Sequence, residues 1–299
     1  MPQSIEELVG LLELEEIEPG LYRGRQPETE LQRVFGGQVA GQALSACIST
    51  VPEDRYVHSL HGYFLRAGDP TVPIVYDVER IRDGRSFSDR RVVARQHTRV
   101  IFYMTASFQI DEPGLEHQDV MPDTDPPERT PSLGHVLARV TGRDVHQVER
   151  EWAALDVRYG GDSRPAGIPG VAESSPGGTL HDPAHPALAR VWLKAAGPLP
   201  DDRRLHACVL TYASDLTLLA AALVPHGLVI GSAGLQTASL DHAIWFHRPF
   251  RADEWLLYDQ VSPSASGARG LVIGRLFDRS GRLVATVVQE GLIRKVGGD

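Results

Sequence analysis

Between Thr237 and Phe250 the sequence TASLDHAIWFHRPF places two histidines, an aspartate, an arginine, a serine and three aromatic residues within fourteen positions. The same stretch carries Ala, Leu and Ile at the density of a buried strand, so its polar residues need a purpose. A second unusual position is Asp215, in YASDLTLLAAAL, where its neighbours have no use for water. An ionised carboxylate there is costly unless hydrogen-bonded. Taken alone, it reads either as a helix N-cap or satisfied structural aspartate, or as a base held for chemistry. Gln289, in VVQEG, is uncharged and therefore a positioning group rather than an acid or base. Ser239 alone reads as an ordinary strand serine. As a nucleophile it would want a histidine base, and often a G-x-S-x-G elbow, which the chain lacks. His242 is close in sequence, but strand alternation puts it on the opposite face from Ser239. The pairs His58/His61 and His242/His247 have no flanking carboxylate or cysteine at ligand spacing, so neither a metal nor a cofactor is expected. FGGQVAG (35–41) is glycine-rich but has no GK[ST] ending, so its glycines are read as letting a helix start close to a sheet.

These residues must be positioned by a chain of 299 residues with 42% hydrophobic and 23% charged side chains, ample for a sizeable core. A formal charge of −9 argues against a nucleic-acid partner. The basic residues are nearly all arginine, with lysine only at Lys194 and Lys295. Cys47 and Cys208 lie in helical runs without motif partners, which points to a reducing cytoplasm. The acidic N-terminus does not resemble a signal peptide, and no apolar run is expected to span a bilayer.

Residues 10–26 read as one or two short strands. The segment 34–51 repeats Val39, Ala40, Ala43, Leu44, Ala46, Cys47 and Ile48 at helical spacing over most of its surface, the mark of a buried helix. From 57 to 110 the chain turns to Val-, Ile-, Tyr- and Phe-rich strands separated by AGDP and RDGR. The span 111–136, rich in Pro, Asp and Glu, reads as a linker, and 160–179 as a further loop. An apolar helix over 204–227 and more strands then follow. The halves echo each other: HSL (58–60) and ASL (238–240) lie 180 residues apart, as do Gln109 and Gln289. Two copies of a helix-plus-sheet unit are expected: one in 1–112, a linker over 113–150, and the second in 151–299.

A long apolar helix wrapped by a curled antiparallel sheet, present twice, is the α+β double hotdog arrangement, and the sequence resembles the acyl-CoA thioesterase II (TesB-like) family. The resemblance rests on VFGGQVAGQAL (34–44), HSLHGYFLRAGD (58–69), YDVERIRDGRSFSDRRV (76–92) and IFYMTASFQ (101–109). In the second half it rests on YASDL (212–216), DHAIWFHRPF (241–250), EWLLYD (254–259), SASGARG (264–270) and VQEG (288–291). It implies an enzyme that hydrolyses fatty acyl-CoA to free fatty acid and CoA without a cofactor. It also implies a catalytic set of an aspartate, a threonine and a glutamine, which fall here on Asp215, Ser239 and Gln289. Serine replaces threonine, and Thr237, on the same strand face as Ser239, is the alternative hydroxyl. In this reading Asp215 takes the proton of a water fixed by the other two. Arg66 and Arg248, at similar places in the two repeats, are candidates for the CoA phosphates. Ser59 and Gln109 echo Ser239 and Gln289, but only Gln38 and Gln42 are offered near the aspartate position, so one working site per chain is expected. The competing functions are a non-catalytic acyl-CoA-binding hotdog protein and an acyl-thioester hydratase or dehydratase. A homo-oligomer, dimer or tetramer, is expected.

Overall fold

The computed structural model describes residues 1–142, 144–165, 167, 179–182 and 184–296. The first half runs α1 (Ile5–Leu12), β1 (Glu15–Glu18), β2 (Leu21–Gly24), α2 (Gly36–Ile48), β3 (Tyr56–Phe64), β4 (Ile74–Asp83), β5 (Phe87–Gln96) and β6 (Arg99–Gln109). A stretch without regular structure and a short 3-10 turn lead to α3 (Leu133–Thr141) and α4 (Val145–Glu151). The second half runs β7 (Leu155–Asp162), β8 (Leu188–Ala195), α5 (Arg203–Ser214), a 3-10 segment (Leu218–His226), β9 (Leu235–Ser239), β10 (Asp241–Phe246), β11 (Leu256–Ser266), β12 (Arg269–Asp278) and β13 (Leu283–Lys295). Most of the loop expected over 160–179 lies outside the described residues; its start is the end of β7.

All the strands join one sheet in the order β1-β2-β4-β5-β6-β3-β10-β13-β12-β11-β8-β7, with β9 on β13. The order is the same read inward from either edge: two short strands, two long ones, then a pair that meets its counterpart at the central β3–β10 junction. Among the described residues every pairing between these strands is antiparallel. The inner face shows the period of two that a half-buried strand requires, as in β5, where Ser88, Arg90, Val92, Ala94 and Gln96 are buried between exposed or half-exposed residues. This is the double hotdog fold.

The sheet curls around α2 and α5, which pack on each other. Gly37 and Gly41, one turn apart on α2, lie against the backbone carbonyls of Tyr212 and Cys208, one turn apart on α5. The helices are therefore antiparallel. Their backbones approach too closely for side chains: a Cβ at Gly41 would stand 3.2 Å from the Cys208 oxygen, and one at Gly37 would overlap the Tyr212 oxygen. The close approach brings the N-terminus of α2 to the C-terminus of α5.

Three expectations need correction. The N-terminal segment forms α1 before the first strand: Ser4 caps it by accepting from the Glu7 N–H, and Leu8, Leu11 and Leu12 are buried. The helix expected over 204–227 is broken, because α5 stops at Ser214, Asp215 is its C-cap, and a 3-10 segment follows from Leu218. The run Arg203–His226 is nonetheless long and apolar enough to cross a bilayer by composition, contrary to the expectation of no such run. Most of it is buried inside the fold, as a core helix must be.

Candidate active site

Asp215 owes its environment to two local features. As the C-cap of α5 it stands where that helix leaves its regular path, and its side chain is only 4% exposed. Opposite it, the N-terminus of α2 begins at Phe35 with no side-chain cap. The first N–H groups of a helix need acceptors from outside it, and the Gly37 N–H finds one in the Asp215 carboxylate. Asp215 thus caps the partner helix, with its charge at the positive end of that helix's dipole. Gly36 makes room for it: a Cβ there would lie 2.5 Å from Asp215 Oδ2 and 3.0 Å from the Phe64 ring.

Two strands complete the carboxylate's surroundings. Ser239 Oγ donates to Asp215 Oδ1 at 3.0 Å, and Gln289 Nε2 donates to the same oxygen at 2.5 Å. The sheet register explains the convergence. Ser239 on β9 faces Gly291 on β13, two residues from Gln289 and hence on the same inward face. Burial pushes the Asp215 pKa up from the ordinary 3.8 to about 6, against the opposing pull of the donors Gln289, Ser239 and Gly37. A carboxylate with that pKa is ionised near neutral pH yet basic enough to accept a proton. Gln289 is fully buried, and among the described residues its Oε1 has no hydrogen-bond partner.

The structure brings Asp215, Ser239 and Gln289 together. Among the described residues, the hydroxyl bonded to Asp215 is that of Ser239; Thr237 sits two residues along β9, opposite Ile293. Arg66 and Arg248 are not brought together. Arg66 is exposed, donates Nη1 to the Val100 carbonyl at 2.7 Å, and lies two residues beyond Phe64 at the Asp215 end of the helix pair. Arg248 lines a cavity of about 460 Å³ with Arg203 and Arg204 at the N-terminal end of α5, a whole helix length from Asp215.

Sequence reasoning put His242 on the opposite face from Ser239, and the structure corrects that. Regular alternation separates it from Ser239, yet both point inward to Asp215. Four residues lead from Ser239 to Ala243, against three from their partners Gly291 to Val288 on β13. The extra residue, a bulge at Leu240, reverses which side chains face inward. His242 is fully buried, with Nδ1 4.0 Å from Asp215 Oδ1 and Nε2 2.8 Å from Ser214 Oγ. It is bonded to Ser214 and not to Ser239, so the Ser239–His242 pair of a covalent mechanism is not formed.

The echo between the halves does not extend to a second set of site residues. Ser59 lies opposite Trp245 in the central pair, on the outer face of the sheet, where Trp245 is 43% exposed. Gln109 donates outward to Glu112. Gln38 and Gln42 lie in the first half of α2 and donate to Gln26 and to the Leu11 and Arg25 carbonyls. The end of α2 that corresponds to Asp215 on α5 carries Thr50, which accepts from the buried Arg90 at 2.8 Å.

A cavity of about 740 Å³ opens beside the site, between α3, α4, the inner ends of β7 and β8, and the 3-10 segment. Val136, Val140, Trp152 and Val224 give it apolar walls, and Leu216 and Thr217, directly after Asp215, form part of its lining.

The chain is thus a double hotdog in which the facing ends of two helices enclose a buried carboxylate. Residues 177–292 match the acyl-CoA thioesterase family, and residues 25–109 match the acyl-CoA thioesterase N-terminal domain. The chain is 40% identical to acyl-CoA thioesterase 2 of Haemophilus influenzae, over 98% of this chain and 99% of that protein. It is 45% identical to acyl-coenzyme A thioesterase 8 of Mus musculus, over 96% of this chain and 88% of that one. The crystal structure of the acyl-CoA thioesterase II TesB2 from Mycobacterium marinum superimposes with a TM-score of 0.81 at 46% identity, covering 99% of this chain and 100% of the other. The chain belongs to the acyl-CoA thioesterase II (TesB-like) family, and it is a thioester hydrolase.

Proposed function

We propose that the chain hydrolyses fatty acyl-CoA to free fatty acid and CoA by direct attack of water, with Asp215 as general base. The observation that carries this reading is the buried Asp215 carboxylate held by donors from three separate elements: Ser239, Gln289 and the Gly37 N–H. The water oxygen bonds to the thioester carbonyl carbon as Asp215 takes the water's proton. The tetrahedral intermediate then expels CoA sulfur, which leaves as the thiol with that proton. Gln289 Oε1, buried and without a partner, is a second acceptor able to orient the water. The first-turn N–H groups of α2 other than that of Gly37, which Asp215 already accepts, are the donors for the oxyanion. Arg66, at the Asp215 end of the helix pair, serves the CoA phosphates. The apolar cavity beyond Leu216 receives the acyl chain.

The chain is further proposed to work as a homo-oligomer, which the exposed Trp245, Tyr63 and Ile81 on the outer face of the sheet support. A reducing compartment is supported by the free thiols of Cys47 and Cys208.

The test is thiol release from a panel of acyl-CoAs by the wild type and Asp215→Asn. Loss of roughly 10²–10⁴-fold in turnover with acyl-CoA binding intact is the expected result. Unchanged turnover in the variant would remove Asp215 from the mechanism. Binding without turnover in the wild type would favour a non-catalytic acyl-CoA-binding protein.

A further inference from the structure

The ring of His242 touches the site from the one side that the proposed mechanism leaves unused. Its placement is rigid: β10 holds it on the inner face of the sheet, next to Gln289 in the register with β13, and it is fully buried. Nε2 lies 2.8 Å from Ser214 Oγ, while Nδ1, equally buried, has no hydrogen-bond partner and faces Asp215 Oδ1 at 4.0 Å.

The tautomer follows from the groups that the two ring nitrogens face. The Ser214 hydroxyl can donate to Nε2 or accept from it, whereas the ionised Asp215 carboxylate opposite Nδ1 can only accept. With Nδ1 protonated, the hydroxyl gives its proton to Nε2 at 2.8 Å in place of the Thr211 carbonyl at 3.1 Å. The alternative, in which Ser214 donates to Thr211 and accepts from Nε2–H, would turn an Nδ1 lone pair toward a buried carboxylate, an arrangement in which two acceptors repel. We propose that His242, as the Nδ1–H tautomer accepting from Ser214, is a positioning residue that favours the ionised, water-activating form of Asp215. It acts through Asp215 and does not itself take a proton in the reaction. Burial keeps the ring neutral, pushing its pKa down to about 3, with a smaller push in the same direction from His61.

The groups facing Asp215 from each neighbouring element leave His242 in a distinct role. From α2 come the backbone of Gly36 and the Gly37 N–H, from β9 Ser239, and from β13 Gln289. From β11 comes Tyr258, a phenol held protonated by burial whose hydroxyl donates to the Ser214 carbonyl at 3.2 Å. His61 and Asp241, 3.1 Å apart, lie across the sheet on its outer side. Among the described residues, no cation faces the carboxylate. A ring N–H dipole is thus the nearest remaining favourable interaction for its charge.

The inference rests on Asp215 being the base. It is tested by the pH profile of kcat/KM for thiol release, measured for the wild type, His242→Phe, His242→Asn and Ser214→Ala, with thermal melts to establish folding. The phenylalanine keeps a flat ring and removes the N–H, so the acid limb is expected to move upward by about half a pH unit or more. At pH 6 that costs roughly twofold in kcat/KM beyond any loss at pH 8. The side-chain amide of asparagine can place an N–H near the position of Nδ1, so His242→Asn should return the limb toward the wild-type position. Ser214→Ala, which frees the tautomer, should move it in the same direction as phenylalanine but less. A limb that stays in place or moves downward in folded His242→Phe overturns the inference while leaving Asp215 as base. Should His242→Phe not fold, Ser214→Ala decides by the same rule. A wild-type profile without an acid limb near pH 6, together with an active Asp215→Asn, would overturn the base and this inference with it.

Discussion

Replacing Asp215 by asparagine should make the protein more stable while it abolishes turnover. A buried carboxyl whose pKa rises on folding binds its proton more tightly in the folded than in the unfolded chain. Its ionisation therefore destabilises the fold, fully so above about pH 6 and not at all well below 3.8. The interval from 3.8 to about 6, at about 1.4 kcal/mol per pH unit, makes the cost about 3 kcal/mol at pH 8. At pH 5 only the part from 3.8 to 5 applies, about half of that cost. Asparagine keeps an acceptor for Ser239 and Gln289, but its NH2 group replaces an oxygen that faces the N-terminus of α2, a loss of about 1 kcal/mol. The net gain is about 2 kcal/mol at pH 8 and less than about 1 kcal/mol at pH 5. For a chain of this size, 2 kcal/mol raises Tm by roughly 4 °C. Thermal melts of the wild type and Asp215→Asn, followed by circular dichroism at both pH values, read the effect directly. An asparagine variant less stable than the wild type at pH 8, or a difference that does not shrink at pH 5, would refute the reasoning. Either would mean that the hydrogen bonds to the carboxylate outweigh its burial.

Gly36→Ala should lower kcat by about 100-fold, because its methyl group would press on Asp215 Oδ2 and on the Phe64 ring. Gly10→Ala, in α1 with open space around the new methyl, should instead add about 0.5–1 kcal/mol of stability, so melts and turnover of the two variants separate a site effect from a backbone effect. Ser239→Ala should cost at least 10-fold in kcat with KM little changed, while Thr237→Ala stays within twofold of the wild type, and the reverse ranking would hand the hydroxyl's role to Thr237. Cys47 and Cys208 are buried, and burial pushes both thiols well above their ordinary pKa, so a maleimide should neither label the native protein nor reduce thiol release until the chain is unfolded.

Much of this architecture is legible in the sequence because regular elements impose regular patterns. Helix α2 could be read from its all-round apolar surface, and the two halves from their echoing segments, since each must wrap a helix with the same kind of curled sheet. Asp215, Ser239 and Gln289 were reached through the family resemblance, which compares residue identities and does not depend on regular geometry. What could not be read lies where regularity stops. Helical spacing predicted one continuous helix to residue 227, but α5 ends at Ser214, and that break presents the Asp215 carboxylate to another helix. Period-two alternation put His242 and Ser239 on opposite faces, and a one-residue bulge at Leu240 turns both inward. Identical letters misled for a related reason: Ser59 resembles Ser239 in its motif, but the register of the central pair turns it to the outer face. The helix break and the bulge meet at the same carboxylate. A buried carboxylate needs donors from several elements at once, and regular strands and helices do not deliver them to one point. The local irregularities that defeat pattern reading at Asp215 are thus the devices that assemble its surroundings, and an unbroken helix with an unbulged strand would bury an aspartate with too few donors to keep it ionised.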